Sequence, residues 1–373
     1  MTAAADRRFM RRALGLARRA LGTTAPNPAV GCVLVGPDGA IVGEAATAPG
    51  GRPHAETAAL LAAGPRAAGA TAYVTLEPCA HHGRTPPCAG ALAQAGVARV
   101  VVAMATDPDP RVDGRGLAML RAAGVLVETG LLGAEAAEIV AGFVHRVRTG
   151  RPLVTLKLAC SADGRTATRT KESQWITGPL ARRAVHRLRA AQDGVLIGLG
   201  TLLADDPLLT CRLPGYGDRP RRRIVLDPDA RTPPTARLLA DAERWPVIIL
   251  VGPDAADARC TALASRPGVT LLPTPLDPAG RTDLQAALAA LGALGLNGVL
   301  VEAGARLAAA FVRARLADRL VLHRAPMLIG GDGLPLLESL GVDRLQQAPR
   351  LTLLARRTAG PDLLETYAID RPG

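Results

Sequence analysis

Pro53-His54-Ala55-Glu56-Thr57 and, further along, Leu76-Glu77-Pro78-Cys79-Ala80-His81-His82-Gly83-Arg84-Thr85-Pro86-Pro87-Cys88 decide how the first half of this chain is read. One imidazole and two thiolates are three zinc ligands, and catalytic zinc sites keep three protein ligands and leave a fourth position for water. A water so placed becomes nucleophilic near neutral pH. Glu56 stands two residues after His54 and need not touch the metal, so it can move a proton, as in the H-x-E…P-C pattern of zinc deaminases. A closed structural zinc site, or a chance coincidence of residues, is the plainer alternative. Eight residues separate Cys79 from Cys88, whereas the generic deaminase pattern has two. Pro86-Pro87 suits the start of a helix through ALAQAG, which places Cys88 at a helix N-terminus where the dipole favours thiolate.

Working outward, strand and helix signals alternate. A basic helix is expected near Asp6–Leu21, then apolar runs VGCVLVG and AIVGEA round a Pro37-Asp38-Gly39 turn. HAETAALLAAG reads as a helix with His54 and Glu56 in its first turn. TAYVTLEP, ARVVVAM and GVLVETG read as strands separated by helical stretches, the pattern of a covered α/β sheet. The pattern restarts after GFVHRVRTGRP, so two domains are expected, 1–149 and 151–373.

In the second half, LVTLKLACS, DGVLIGLGT, RRRIVLD, PVIILVG and VTLLP read as strands, and PLARRAVHRLRAA as a helix. The uncharged stretch Leu284–Val301 reads as a helix and a buried strand, because Gln285, Asn297 and glycines interrupt it. In GVLVEAGARLAAAFV a helix starting near Gly304 would aim free N–H groups at a phosphate, with Arg306 assisting. Gly198 and Gly200 lack the third glycine of a dinucleotide fingerprint, so that motif is not supported. Asp205 and Asp206 could orient a sugar or cap a turn. Trp175 could pack in a core or line a cofactor. Lys157, one of only two lysines, could be an active-site cation or a snorkelling residue on an edge strand.

Composition narrows the partners. The net charge of +12 divides into +4 over residues 1–150 and +8 beyond. Aromatics are 2% of residues, too few to stack bases as single-strand binders do, so small phosphorylated molecules explain the charge better than nucleic acid. The six cysteines have irregular spacing, which suggests no disulfide framework and fits a reducing cytoplasm. Neither a signal-peptide core nor a membrane span is expected.

TAPNPAVGC, PHAET, VTLEPCAHHGRTPPC, LKLACSADGRTA, ESQWITG, VLIGLGTLLADDPLLTCR and VEAGARLAAAF, in this order, closely resemble the bifunctional riboflavin-biosynthesis deaminase/reductase family, whose motifs include the eight-residue cysteine gap. The resemblance implies an α/β chain: a cytidine-deaminase-like three-layer α/β/α domain followed by a dihydrofolate-reductase-like α/β domain. It implies deamination of 2,5-diamino-6-ribosylamino-4(3H)-pyrimidinone 5′-phosphate, then NADPH-dependent reduction of the ribosyl group to ribityl. Zinc would be held by His54, Cys79 and Cys88, with Glu56 as the catalytic proton carrier. The NADPH contacts implied are Ala159, Trp175, Thr201, Asp205 and the run Gly304, Ala305, Arg306, Leu307, Ala308, Ala309 and Ala310. Substrate contacts fall on Ser173, Arg189, Leu209, Arg212 and Glu302. Asp227 stands at a strand end where relatives often have Ser near the cofactor. Lys157, Asp205 and Glu302 are candidates for the acid of the reduction. A homo-oligomer is expected. The competing reading is a tRNA or nucleoside deaminase with an accessory domain, disfavoured by the cysteine gap and by ESQWITG and LADDP.

Overall fold

The computed structural model describes residues 2–83, 86–216, 219 and 221–370. The chain divides into two compact units, Met1–Gly150 and Arg151–Gly373.

The first unit has five strands: β1 (Gly31–Val35), β2 (Ile41–Ala46), β3 (Thr71–Leu76), β4 (Arg99–Met104) and β5 (Leu126–Thr129). They lie in the order β2-β1-β3-β4-β5. β1 is antiparallel to β2 and β3, while β3, β4 and β5 run parallel. The helices are α1 (Ala3–Ala20), α2 (Ala55–Ala63), α3 (Cys88–Gln94), α4 (Arg115–Ala122) and α5 (Gly133–Thr149). On one face Phe9, Met10 and Leu14 of α1 pack with Ala136 and Ile139 of α5 against Val33, Tyr73 and Val101. On the other, alanines and leucines of α2, α3 and α4 pack on Cys32, Val74 and Val102. Both faces of β1, β3 and β4 are buried, which explains why these three read as continuous apolar runs, whereas the edge strands β2 and β5 are partly or largely exposed. This is the three-layer α/β/α deaminase-like fold.

The second unit begins with β6 (Leu153–Cys160) and the short β7 (Arg165–Ala167), followed by α6 (Pro179–Ala190). Then come β8 (Gly194–Gly198), α7 (Leu199–Asp205), β9 (Arg222–Leu226), β10 (Val247–Val251), α8 (Asp257–Ala264) and β11 (Val269–Pro273). α9 (Leu284–Ala293), β12 (Gly298–Glu302), α10 (Ala305–Arg313) and β13 (Arg319–Arg324) follow, and β14 (Leu334–Pro335), β15 (Leu351–Ala359) and β16 (Asp362–Ile369) close the unit. Nine strands form one sheet, β11-β10-β9-β8-β12-β6-β13-β16-β15. The seven from β11 to β13 are parallel, and the terminal hairpin β15–β16 is antiparallel. The uncharged stretch before Val301 is indeed a helix, α9, and a buried strand, β12. This is the α/β architecture of the dihydrofolate-reductase-like class.

Two local expectations are corrected. β6 lies between β12 and β13, so Lys157 is on an interior strand and is not a snorkelling edge residue. Trp175 is not packed in a core: it is 66% exposed, with the Arg182 guanidinium 4.6 Å above its ring.

Candidate active sites

Three elements converge in the first unit. His54 is the N-cap of α2, and Glu56 sits in that helix's first turn, 4% exposed. Cys79 follows the end of β3, and Cys88 is the first residue of α3, whose N-cap is Pro87. His54 Nδ1 is 3.7 Å from Cys79 Sγ and 3.4 Å from Cys88 Sγ. The Cys88 amide donates to Cys79 Sγ at 3.3 Å. The three ligand atoms all lie within 4.8 Å of one another. Zinc–ligand bonds of about 2.0–2.3 Å in a tetrahedron put ligand atoms roughly 3.4–3.8 Å apart. The donor set and its spacing therefore fit zinc.

The electrostatics point the same way. The hydrogen bond from Cys88, helped by His54, pulls the Cys79 thiol down to about 4, while the same bond pushes Cys88 up. His54 is raised, chiefly by its hydrogen bond to Cys79. Burial and the charge of Cys79 push Glu56 up to about 7, which poises it to take and release a proton near neutral pH.

Two supports, Asn27 and Glu77, lie within the motifs TAPNPAVGC and VTLEPC, whose spacing gave them no role. Asn27 Nδ2 lies 3.3 Å from His54 Nε2 and donates to the Gly51 carbonyl at 2.9 Å. Gly51 has φ 87°, and a Cβ there would meet the Asn27 side chain at 2.8 Å, so only glycine permits this approach. Glu77 is buried and accepts the backbone N–H groups of Gly114, Gly116 and Leu117 at 2.9, 2.9 and 3.2 Å. It thereby ties the segment leading to Cys79 to the start of α4.

In the second unit Arg189 and Glu302, both expected substrate contacts, form a buried ion pair. Arg189 of α6 grips Glu302 at the end of β12 through Nε at 2.6 Å and Nη2 at 2.8 Å, with Nη1 on the Thr210 carbonyl. Burial opposes ionisation of Glu302, yet the charge and hydrogen bonds of Arg189 hold it below its usual range. Glu302 pairs in register with half-buried Lys157, whose pKa burial lowers.

The remaining expected contacts scatter along the C-terminal ends of the parallel strands, where open α/β sheets take ligands. Ala159 lies near the end of β6, Thr201 in α7, and exposed Asp205 ends that helix. Asp205 and Asp206 do not converge, because Asp206 turns away to accept the Arg237 amide at 2.9 Å. Gly304 caps α10 without any side-chain cap, and nothing lies within 4 Å of a Cβ placed there. The helix end is therefore open to an anion, with Ala305, Arg306 and Leu307 in its first turn. Ala308 and Ala309 are fully buried, and Ala310 is half-buried. Arg306 is exposed, 3.5 Å from Glu338. Ser173 and Arg212 are exposed, whereas the side chain of Leu209 is buried. Asp227 is fully buried and spends its carboxylate on the Arg231 and Thr232 amides and the Thr232 hydroxyl. The exposed Trp175 face, the uncapped α10 and the strand ends suit a dinucleotide.

Comparison with known proteins agrees. Residues 3–104 match the cytidine and deoxycytidylate deaminase zinc-binding region, and residues 152–364 match the RibD C-terminal domain. The riboflavin biosynthesis protein RibD of Escherichia coli K12 is 45% identical over 96% of this chain and 98% of its own length. That of Bacillus amyloliquefaciens is 42% identical over 98% and 96%. Among solved structures, Acinetobacter baumannii RibD superposes with a TM-score of 0.85 at 38% identity, covering 99% of each chain. The Thermotoga maritima diaminohydroxyphosphoribosylaminopyrimidine deaminase/5-amino-6-(5-phosphoribosylamino)uracil reductase gives 0.83 at 31%, covering 98% and 99%. With its zinc-binding deaminase region and its reductase-type second unit, the chain belongs to the RibD family of riboflavin-biosynthesis proteins.

Proposed function

We propose that the chain catalyses two reactions of riboflavin biosynthesis, one in each unit. The first is hydrolytic deamination of 2,5-diamino-6-ribosylamino-4(3H)-pyrimidinone 5′-phosphate. The second is NADPH-dependent reduction of the ribosyl group of 5-amino-6-(5-phosphoribosylamino)uracil to ribityl. The observation that carries the first is the clustering of His54, Cys79 and Cys88 beside buried Glu56. Those three residues would hold zinc, which supplies Lewis-acid activation of a water. Glu56 accepts a proton from the attacking water and returns it to the departing amine; a C–O bond forms, the C–N bond breaks, and ammonia leaves.

In the second unit, α10's first turn and the Trp175 face would bind NADPH, which supplies a hydride to C1 of the ring-opened ribosyl group. Arg189 and Glu302 form a fixed polar floor that orients the substrate. Lys157 is the cation we assign to give the proton that accompanies the hydride, since burial makes its ammonium more acidic than usual. Ser173 and Arg212, both exposed, are free to reach the substrate and its phosphate.

The partners are therefore small phosphorylated pyrimidines, not nucleic acid, which agrees with the scarcity of aromatic platforms. No described helix is long and apolar enough to cross a membrane, and the six cysteines are unpaired, which supports a cytoplasmic setting. A homo-oligomer is supported by the nine-residue edge strand β15, whose Leu351, Leu353 and Leu354 are exposed. A tRNA or nucleoside deaminase is not favoured.

Incubating the zinc-loaded protein with the pyrimidinone phosphate tests the scheme. Ammonia should appear without NADPH, and NADPH oxidation should require prior deamination. Consumption of adenosine in tRNA but not of the pyrimidinone would overturn it.

A further inference from the structure

The segment 206–212, which follows α7, carries two of the expected substrate contacts, Leu209 and Arg212. Two of its residues hold backbone angles that residues other than glycine avoid: φ is 38° at Asp206 and 54° at Leu209. Such outliers persist only where the surroundings fix them. Asp206 is the easier case, because a short polar side chain suits this region and here accepts the Arg237 amide at 2.9 Å. Leucine has no such compensation. Its side chain is buried with Ile197 of β8 and with Leu199 and Leu202 of α7, so anything Leu209 offers a ligand comes from its main chain.

Two arginines take the carbonyls of its neighbours. Arg189 donates through Nη1 to the Thr210 carbonyl at 3.1 Å. Arg223 of β9 donates through Nη1 to the Leu208 carbonyl at 3.3 Å and to the Asp241 carboxylate at 2.7 Å. Its Nε and Nη2 both reach the Trp245 carbonyl, the first at 3.1 Å. β9 is an interior strand, and the Arg223 side chain is 0% exposed. A guanidinium so far from water is costly unless its donors are satisfied, and an aliphatic residue would fill the place more simply.

Peptide geometry gives the bond to Leu208 a consequence. The Leu208–Leu209 peptide is trans, so its C=O and N–H point in opposite directions. With the Leu208 carbonyl turned in to Arg223, the Leu209 N–H faces the other way. Among the described residues no hydrogen bond engages that N–H.

We propose that Arg223 is a positioning residue of the reduction: by holding the Leu208 carbonyl it keeps Leu209 left-handed, with its N–H turned to an acceptor oxygen of the substrate. This rests on the reading of the second unit as the ribosyl reductase, with Leu209 and Arg212 against its substrate.

The test uses the full zinc-loaded chain with NADPH and 5-amino-6-(5-phosphoribosylamino)uracil, comparing Arg223→Met, Arg223→Lys and Arg212→Ala. Readouts are kcat, the KM for each substrate and the melting temperature. Arg223→Met should raise the KM for the uracil phosphate about 10- to 100-fold, the worth of one hydrogen bond to a charged oxygen. Its kcat and its KM for NADPH should stay within about twofold of the parent, the signature of lost uniform binding. Arg223→Lys keeps the charge but not the fork that spans the Leu208, Trp245 and Asp241 oxygens, so it should show the same shift more weakly. A folded Arg223→Met with the parent's KM for the uracil phosphate, beside an Arg212→Ala whose KM rises, would overturn the role of Arg223 alone. Equal rises in both KM values would also overturn it, since they report a general loosening of the unit. Arg212→Ala at the parent's KM would remove the loop from the substrate site and take this proposal with it. Should the Met variant not fold, Arg223→Lys decides: a raised KM for the uracil phosphate alone supports the proposal, and an unchanged one overturns it.

Discussion

The backbone amide of Cys88 donates to Sγ of Cys79 at 3.3 Å. That contact explains how a gap of eight residues still yields a compact ligand set. The chain returns so that α3 begins against the first thiolate, and the amide at that helix start stabilises it. The spacing is thus a property of one fold-back, not a departure from zinc chemistry.

Gly116→Ala should loosen this arrangement from a distance. A Cβ there would meet the Pro78 carbonyl oxygen at 1.9 Å, one residue before Cys79 and beside the carboxylate of Glu77. The backbone must shift, so we expect a loss of about 1–3 kcal/mol in stability and weaker zinc retention against a chelator. Glu77→Gln, which keeps the shape but weakens the bonds to Gly114, Gly116 and Leu117, should show the same zinc defect more mildly. Zinc retention equal to that of the parent in both variants would show that α4 does not brace the site.

The Arg189–Glu302 pair makes a second case. Its side chains are only 14% and 17% exposed, so removing one partner strands a charge. Glu302→Ala should destabilise the second unit by about 3–5 kcal/mol, whereas replacing both residues with hydrocarbon of similar volume should cost much less. Denaturant unfolding of the full chain checks this. Equal losses in the single and double variants would mean that the pair acts through packing alone.

Acid stability should depend on Asp6. Hydrogen bonds from Arg99, opposed by burial and joined by Tyr73, hold its carboxyl below the ordinary value. A depressed folded pKa contributes stability above the unfolded value, and that contribution is lost as pH falls through the folded one. Melting temperature should therefore drop as pH falls below about 4. Asp6→Asn should lower stability at neutral pH and flatten that acid dependence. An unaltered slope would remove Asp6 from the account.

What was legible in the chain follows from distance along it. His54 and Glu56 are two residues apart and both cysteines lie in one segment, so the zinc chemistry and the helix start at Cys88 could be read directly. The central strands β1, β3 and β4 of the first unit were legible because both their faces are covered, leaving uninterrupted apolar runs. The second site was not legible from spacing. Arg189 and Glu302 are separated by 113 residues, and Lys157 comes into register with Glu302 only because β6 pairs with β12. β13 itself carried no signal, since arginines and a histidine interrupt its apolar residues. Trp175 and Lys157 were misjudged in their plainer readings because residue type alone does not tell a surface platform from a core ring, or an interior strand from an edge. The run from Gly304 to Ala310 was legible as a helix, but only its first turn is open to a ligand.

The central claim is that the cluster of His54, Cys79 and Cys88 is a catalytic zinc site served by Glu56. Ammonia release from the pyrimidinone phosphate by zinc-loaded Glu56→Gln tests it most directly, with metal content measured on the same sample. The account predicts full zinc occupancy and a rate about 10²- to 10⁴-fold lower, the usual worth of a positioned proton carrier. Deamination at the parent rate by a zinc-replete Glu56→Gln protein would contradict it.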